Sequence, residues 1–136
     1  MSAITTSRLT ESTDSLLRFA MRADAVLTGL AGVAGIPLAG WLAETSGTST
    51  AFEYGMAAFF IAYGLVVFGL ASLPSVRRPG IAVVIANLLY TVATVGFVLA
   101  DVFPLSTTGV VLTLASGVYT AVFAELQYQG LRRIKA

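Results

Sequence analysis

Four long apolar runs, separated by short polar breaks, organise this chain. A helix needs about 20 mostly apolar residues to cross the roughly 30 Å of hydrocarbon in a bilayer. Runs of this length occupy 25–43, 55–73, 81–100 and 106–126. They are continuously apolar and do not alternate in polarity, which disfavours the strands of a membrane barrel. The pattern therefore predicts four transmembrane helices.

The breaks between the runs are short and rich in turn-forming residues. Residues 44–50 are polar, residues 74–80 carry two prolines around a basic pair, and residues 101–104 form the shortest break. Short connections make successive helices antiparallel neighbours. We expect an all-α membrane protein whose four transmembrane helices form an antiparallel up-down bundle over residues 25–130.

The basic residues all lie on one side of this topology. They precede the first run, separate the second from the third, and follow the fourth: Arg8, Arg18, Arg22, Arg77, Arg78, Arg132, Arg133 and Lys135. The opposite side carries Glu44, Glu53 and Asp101 and no basic residue. By the positive-inside rule, both termini are expected in the cytoplasm.

The two ends of the chain are more polar than the apolar runs. Residues 1–24 are expected to form a cytoplasmic segment, of which residues 1–12 fray. Within it, residues 14–22 are predicted to form a short interfacial helix with Asp14 as its N-cap, leading into the first run. Residues 131–136 are expected to form a basic cytoplasmic tail.

One face of the third run is polar. Asn87, Tyr90, Thr91 and Thr94 follow the helical spacing i, i+3, i+4, i+7, and Asp101 continues this face. An unsatisfied polar group facing lipid chains is costly, so the face should turn towards other helices or a wet cavity. Two interpretations stay open: hydrogen bonds across the bundle, and a ligand-binding or ion-conducting face.

Glu125 is the carboxylate that lies furthest inside an apolar run. Six residues separate it from Leu131, a rise of about 9 Å, and Asn87 lies about 10 Å deep from the same side. The two are expected at one level, with Asp24 and Thr28 near it. A structural pairing of Glu125 with Asn87 or an arginine and a proton- or ligand-linked role both remain possible interpretations.

Small residues recur at helical spacing in the first and fourth runs. The two sets are Ala25, Gly29, Gly32 and Gly40, and Gly109, Thr113, Gly117 and Ala121. Such series let another helix backbone approach closely. They predict helix packing, either within the chain or with another subunit.

The amino-acid composition limits the cofactors and partners that the chain can bind. Hydrophobic residues make up 57% of the 136 positions and charged residues 11%, and the chain has no His and no Cys. Without imidazole or thiolate ligands we expect no haem, zinc, copper or iron–sulfur cofactor. A formal net charge of +1 does not indicate a basic surface for nucleic acid, so we expect no nucleic-acid partner.

Three short segments carry a resemblance to known proteins. They read AELQYQGLRR at 124–133, ANLLY at 86–90 and GVVLTLA at 109–115. With them, the chain resembles small bacterial four-helix integral membrane proteins of uncharacterised function. The resemblance implies the four-helix fold and a multi-pass protein of the bacterial cytoplasmic (inner) membrane, and it implies no activity.

Three classes of function compete at this point. The leading hypothesis is a non-enzymatic protein that acts as an oligomeric or accessory subunit of a cytoplasmic-membrane complex, with membrane lipids and a second copy or larger complex as partners. The alternative is a small transporter or channel that uses the polar face of the third run and Glu125. A membrane enzyme is disfavoured because His, Cys and paired inner carboxylates are lacking.

Overall fold

Four helices account for almost the whole chain. In a computed structural model, residues 13–134 are described with their side chains and residues 2–12 as helical backbone alone. The helices are α1 (Ser2–Ser46), α2 (Thr50–Leu70), α3 (Arg77–Ala100) and α4 (Thr107–Arg132). Each is long and apolar enough to cross a membrane. The predicted all-helical fold with four potential spans is confirmed.

Hydrogen-bonding caps fix where two of the helices begin. The Ser49 side chain accepts a hydrogen bond from the Phe52 backbone N–H at the start of α2. The Ser106 side chain does the same for the Gly109 N–H at the start of α4. Because a serine cap satisfies a backbone donor that the helix leaves unpaired, α2 begins five residues before the predicted apolar run.

Residues 14–22 pack into the bundle as part of α1, which corrects the prediction of a short interfacial helix there. α1 continues without a break through this region. Leu17 and Met21 are fully buried in an apolar cluster that also contains Val76 and Val83. Their burial holds this part of α1 against the other helices. The predicted fraying of residues 1–12 lies outside the residues described with side chains.

Arg18 joins this part of α1 to the end of α2. Its guanidinium donates to the carbonyl oxygens of Ala71 at 3.0 Å, Leu73 at 2.6 Å and Pro74 at 2.9 Å, and to the Asp14 carboxylate at 3.0 Å. The last carbonyls of a helix have no partner within the helix and carry partial negative charge. Arg18, which the sequence marks only as an indicator of membrane topology, therefore caps the end of α2 and joins it to α1.

Small residues bring the helices together. α1 packs closely against α2 and α4, and α4 packs against α3. Gly29 of α1 lies against Gly64 of α2, and Gly109 of α4 lies against Ser46 of α1. Of the small residues predicted to mediate packing, Ala25, Gly29, Gly32, Gly109 and Gly117 contact other helices of the same chain, whereas Gly40 has open space beside it.

α2 and α3 meet in a different way, through aromatic side chains. They are not among the helix pairs with extensive backbone proximity. The rings of Phe52 and Phe97 stack at 5.3 Å, and those of Phe60 and Tyr90 meet edge-on at 6.2 Å. Rings of this size hold the two backbones apart and leave room between them.

Polarity is distributed the opposite way from a soluble protein. Large apolar side chains face outward, as for Leu65 at 72% exposure and Leu99 at 79%. The buried positions include the polar side chains of Asp24, Asn87 and Gln127. An apolar exterior around a polar, small-residue interior is the arrangement expected of a bundle surrounded by lipid chains.

Gly64→Ala should destabilise the bundle, whereas Gly69→Ala on the same helix should not. A Cβ at position 64 would lie 2.6 Å from the Ala25 carbonyl oxygen, so the two backbones would have to separate. A Cβ at position 69 meets nothing within 4 Å. We expect Gly64→Ala to lower the free energy of unfolding in detergent by about 1–3 kcal/mol. Gly69→Ala should leave it unchanged or raise it by up to about 1 kcal/mol; equal effects of the two changes would contradict the close approach.

Candidate functional site

A buried carboxylate lies at the point where all four helices converge. Asp24 has no exposed surface. Its Oδ2 accepts hydrogen bonds from Tyr63 Oη of α2 at 2.7 Å, Asn87 Nδ2 of α3 at 3.0 Å and Gln127 Nε2 of α4 at 3.0 Å. One carboxylate oxygen thus joins α1 to the three other helices.

The second oxygen of Asp24 faces two hydroxyl groups. Oδ1 accepts hydrogen bonds from Thr28 Oγ1 and Tyr119 Oη, each at 3.0 Å. These two hydroxyls also lie 3.0 Å from each other, so one of them can donate its single hydrogen to the other hydroxyl in place of Oδ1. Unlike an amide N–H, a hydroxyl can accept as well as donate. The two sides of the carboxylate therefore differ in their chemistry: an amide-rich Oδ2 side and a hydroxyl Oδ1 side.

Further hydrogen bonds connect the partners to one another. Asn87 Nδ2 also donates to Gln127 Oε1 at 2.9 Å, and Tyr63 Oη lies within donating distance of Asn87 Oδ1, at 3.1 Å. We call the group that these bonds connect the Asp24 cluster: Asp24, Thr28, Tyr63, Asn87, Tyr119 and Gln127. Over residues 13–134, the one buried side-chain polar atom without a partner is Asp14 Oδ1, which lies outside this cluster.

The Asp24 cluster contains a carboxylate but no cation. Among the described side chains, no lysine or arginine contacts Asp24, and the ion pair present joins Asp14 to Arg18. Arg22, two residues away, is directed at the Ala71 carbonyl oxygen at 3.5 Å. A buried carboxylate is tolerated only when it is paired or well hydrogen-bonded. Here neutral donors alone surround it.

The rest of the predicted polar face joins α3 to α4. Thr91 Oγ1 lies 2.7 Å from Thr120 Oγ1 and donates to the Gly117 carbonyl oxygen at 2.9 Å. The Tyr90 and Ser116 hydroxyls lie 3.0 Å apart. These bonds continue the polar interior away from Asp24, one helical turn at a time.

Two adjacent cavities occupy the space between the helices. The small cavity, of about 200 Å³, lies against the Asp24 cluster, and its wall includes Tyr63, Asn87 and Tyr119. The large cavity, of about 630 Å³, reaches Thr48 and Glu53 at the α1–α2 connection. Side chains such as Phe60 and Tyr90, at the gap between α2 and α3, line both cavities. Between them, the two cavities are lined by residues from Glu53 at one end of the bundle to members of the Asp24 cluster.

The structure brings only some of the predicted site residues together. Asp24, Thr28 and Asn87 belong to the Asp24 cluster, and Tyr90 lines the small cavity. Thr91 bonds to α4, and Thr94 Oγ1 donates to the Thr91 carbonyl oxygen. The face ends there, because Asp101 follows α3 in a left-handed conformation and is exposed.

The expected meeting of Glu125 with Asn87 does not occur. Glu125 is exposed, and its carboxylate accepts a hydrogen bond from Gln129 at 2.8 Å. Gln127 contacts Asn87 instead, because two residues turn a helix by about 200° and so reverse the direction of the side chain. Thr120, Ala124 and Gln127 share the buried face of α4 at helical spacing, a signal that sequence reasoning passed over in favour of the carboxylate.

Two other members of the Asp24 cluster were also missed. Tyr63 is a single polar side chain within an otherwise apolar stretch of α2, and Tyr119 is its counterpart on the buried side of α4. A lone tyrosine gives no periodic pattern, so only the contact with Asp24 reveals its role. No family model, curated protein or solved structure matches this chain.

Two replacements of Asp24 should distinguish the contribution of its hydrogen bonds to stability from that of its charge. Asp24→Leu leaves the Asn87 and Gln127 amides without their acceptor, so we expect the free energy of unfolding in detergent to fall by at least about 3 kcal/mol. Asp24→Asn can direct its amide nitrogen to the Thr28 and Tyr119 hydroxyls, which accept, and keep its oxygen on the amide side. We expect this change to cost less than about 1.5 kcal/mol.

Glu125 provides the matched control for both changes. Because Glu125 is exposed and bonded only to its neighbour Gln129, Glu125→Gln and Glu125→Leu should each change stability by less than about 0.5 kcal/mol. Equal losses for the leucine variants at positions 24 and 125 would contradict the role assigned to the Asp24 cluster.

Proposed function

We propose that this protein is a small, non-enzymatic, multi-pass protein of the bacterial cytoplasmic membrane that binds a cationic solute in the small cavity beside Asp24 and transports it. The observation that carries the proposal is a fully buried carboxylate with neutral partners only, next to a cavity that all four helices line. An ionisable group inside a membrane bundle is expensive and is commonly part of a solute or ion pathway. Asp24 takes the role that the sequence alone suggested for Glu125.

The proposed topology is an antiparallel up-down bundle with both termini in the cytoplasm. Residue numbers that rise along α1 meet falling numbers on α2, as in the contacts of Gly29 with Gly64 and Gly35 with Ala57. All eight basic residues lie at one end of such a bundle. Glu53 and the large cavity then lie at the external end.

The depth of the Asp24 cluster within the bundle favours a binding site over a surface feature. Asn87, which bonds to Asp24, is ten residues from the first residue of α3 and thirteen from the last. At 1.5 Å per residue, these separations are about 15 and 20 Å. A solute that reaches the Asp24 cluster from either end must cross a large part of the membrane.

The two ends of the bundle differ in how they are closed. Between the Asp24 cluster and the end nearest the chain termini, each helix contributes apolar side chains to one packed cluster, among them Leu17, Met21, Val67, Val83 and Leu131. On the other side of the cluster lie the two cavities. A site accessible from one side and sealed on the other favours a carrier, which must rearrange to release its solute, over an open channel.

A second candidate function is the oligomeric or accessory subunit that the sequence suggested first. The observation that favours it is Glu125, an exposed carboxylate bonded to Gln129 on the outer face of α4. A polar pair on this face suits a contact with another membrane-embedded chain. This role is compatible with transport, since a carrier can also be a subunit.

Charge displacement in proteoliposomes on a solid-supported membrane tests the transport proposal. The challenge panel is Na⁺, K⁺, a proton step and benzyltrimethylammonium. We expect at least one of these to evoke a saturable current with the parent protein and with Glu125→Gln. Asp24→Asn should abolish that current, because it keeps the hydrogen-bonding shape but not the charge.

Two results would contradict the proposal. One is the absence of a current for every member of the panel. The other is an equal current from Asp24→Asn and the parent protein, which would show that the Asp24 charge takes no part in moving the solute.

A further inference from the structure

The walls of the small cavity indicate which kind of cation would bind there. We infer that the solute is a hydrophobic monocation, a tertiary or quaternary ammonium ion with a body about the size of one aromatic ring. This inference rests on the proposed function and makes its substrate class specific. It depends on the aromatic lining, the size and the hydrogen bonding of the small cavity.

Aromatic rings dominate the wall. Phe59, Phe60, Tyr63, Tyr90 and Tyr119 all line the small cavity. The faces of such rings carry partial negative charge and attract cations, and several rings around one space are the usual means of recognising quaternary ammonium groups. The same rings provide apolar surface for a hydrocarbon body.

The charged residues at the two cavities favour a cation over an anion. Asp24 lies directly behind the Tyr63 and Tyr119 hydroxyls, and Glu53 lines the large cavity. No lysine or arginine is among the described residues that line either cavity. Two carboxylates without basic neighbours repel anions and raise the local concentration of cations.

Hydrogen bonding in the wall disfavours a polar solute. The polar groups of Thr28, Tyr63, Asn87 and Tyr119 are already engaged with Asp24, and the Tyr90 hydroxyl is engaged with Ser116. A sugar or an amino acid would bring many donors and acceptors that find few partners there, and each unsatisfied group is costly. A quaternary ammonium ion has no N–H donor and avoids this cost, and a tertiary ammonium ion has a single N–H donor and so brings far fewer polar groups than a sugar or an amino acid.

The size of the small cavity sets the scale of the solute. A cavity of about 150 Å³ lined by apolar side chains holds benzene in another protein. The small cavity, at about 200 Å³, therefore suits one ring with a compact ammonium group. A hydrated alkali cation would gain little from such apolar walls, since it must give up its water.

Calorimetric titration of the full-length protein in lipid nanodiscs tests this inference. The probe is benzyltrimethylammonium, and the matched neutral compound is neopentylbenzene, in which carbon replaces nitrogen; empty nanodiscs correct for partitioning into lipid. We expect saturable binding of the ammonium ion that is at least about tenfold tighter than that of the neutral compound. Asp24→Asn should weaken ammonium binding at least about tenfold.

A pair of phenylalanine variants isolates the aromatic contribution. Phe60→Leu keeps the wall apolar but removes a ring, so ammonium binding should weaken about fivefold. Phe19→Leu is the control, because Phe19 is 63% exposed and lies outside both cavities. Its binding should match that of the parent protein.

The outcomes distinguish the inference from the function on which it rests. Asp24-dependent currents with Na⁺, K⁺ or protons, together with no binding of benzyltrimethylammonium, would overturn the substrate class and leave the transport proposal standing. Equal binding of the charged and neutral compounds, or equal weakening by Phe60→Leu and Phe19→Leu, would also overturn the inference. Tight ammonium binding that Asp24→Asn and Phe60→Leu both weaken would support it.

Discussion

The need to satisfy one buried carboxylate governs the interior of this protein. Asp24 has no exposed surface, and an unpartnered charge there would cost more free energy than a small bundle can supply. Five side-chain donors, from Tyr63, Asn87, Gln127, Thr28 and Tyr119, surround it. Because these donors come from every helix, the geometry of one group constrains the relative positions of all four. The small residues that let α1 approach its neighbours make such convergence possible.

The same arrangement explains why apolar side chains pack on one side of Asp24 whereas cavities lie on the other. Arg18 caps the end of α2 and holds it to α1, while Leu17 and Met21 fill the adjacent interior. Beyond Asp24, α2 and α3 are held apart by aromatic rings such as Phe60 and Tyr90, and the cavities lie in that gap. Glu53 lines the large cavity and five aromatic side chains line the small cavity beside Asp24, an order that suits the proposed capture of a hydrophobic cation.

Sequence reasoning could predict the four helices and part of the site, for different physical reasons. Apolar runs of membrane length are a strong signal, and the polar positions around Asn87 correctly marked a buried face of α3. The centre of the site is harder to predict: the sequence places Asp24 near the level of Asn87, but one residue before the apolar run at 25–43 and within the segment expected outside the membrane. The charge of Glu125 makes it the stronger candidate on α4 from the sequence, although the helical phase of α4 buries Gln127 instead. Side-chain direction depends on packing partners, which hydropathy alone does not contain.

A double-mutant cycle between Asp24 and Gln127 tests the central claim most directly. The free energy of unfolding in mixed detergent micelles would be measured for Asp24→Leu, Gln127→Leu and the combination. Each single change removes the same hydrogen bond from Gln127 Nε2 to Asp24 Oδ2, so the double variant should lose at least about 1 kcal/mol less than the sum of the two single losses. Additivity within about 0.5 kcal/mol, the behaviour expected when Glu125→Leu replaces Gln127→Leu in the cycle, would contradict the account.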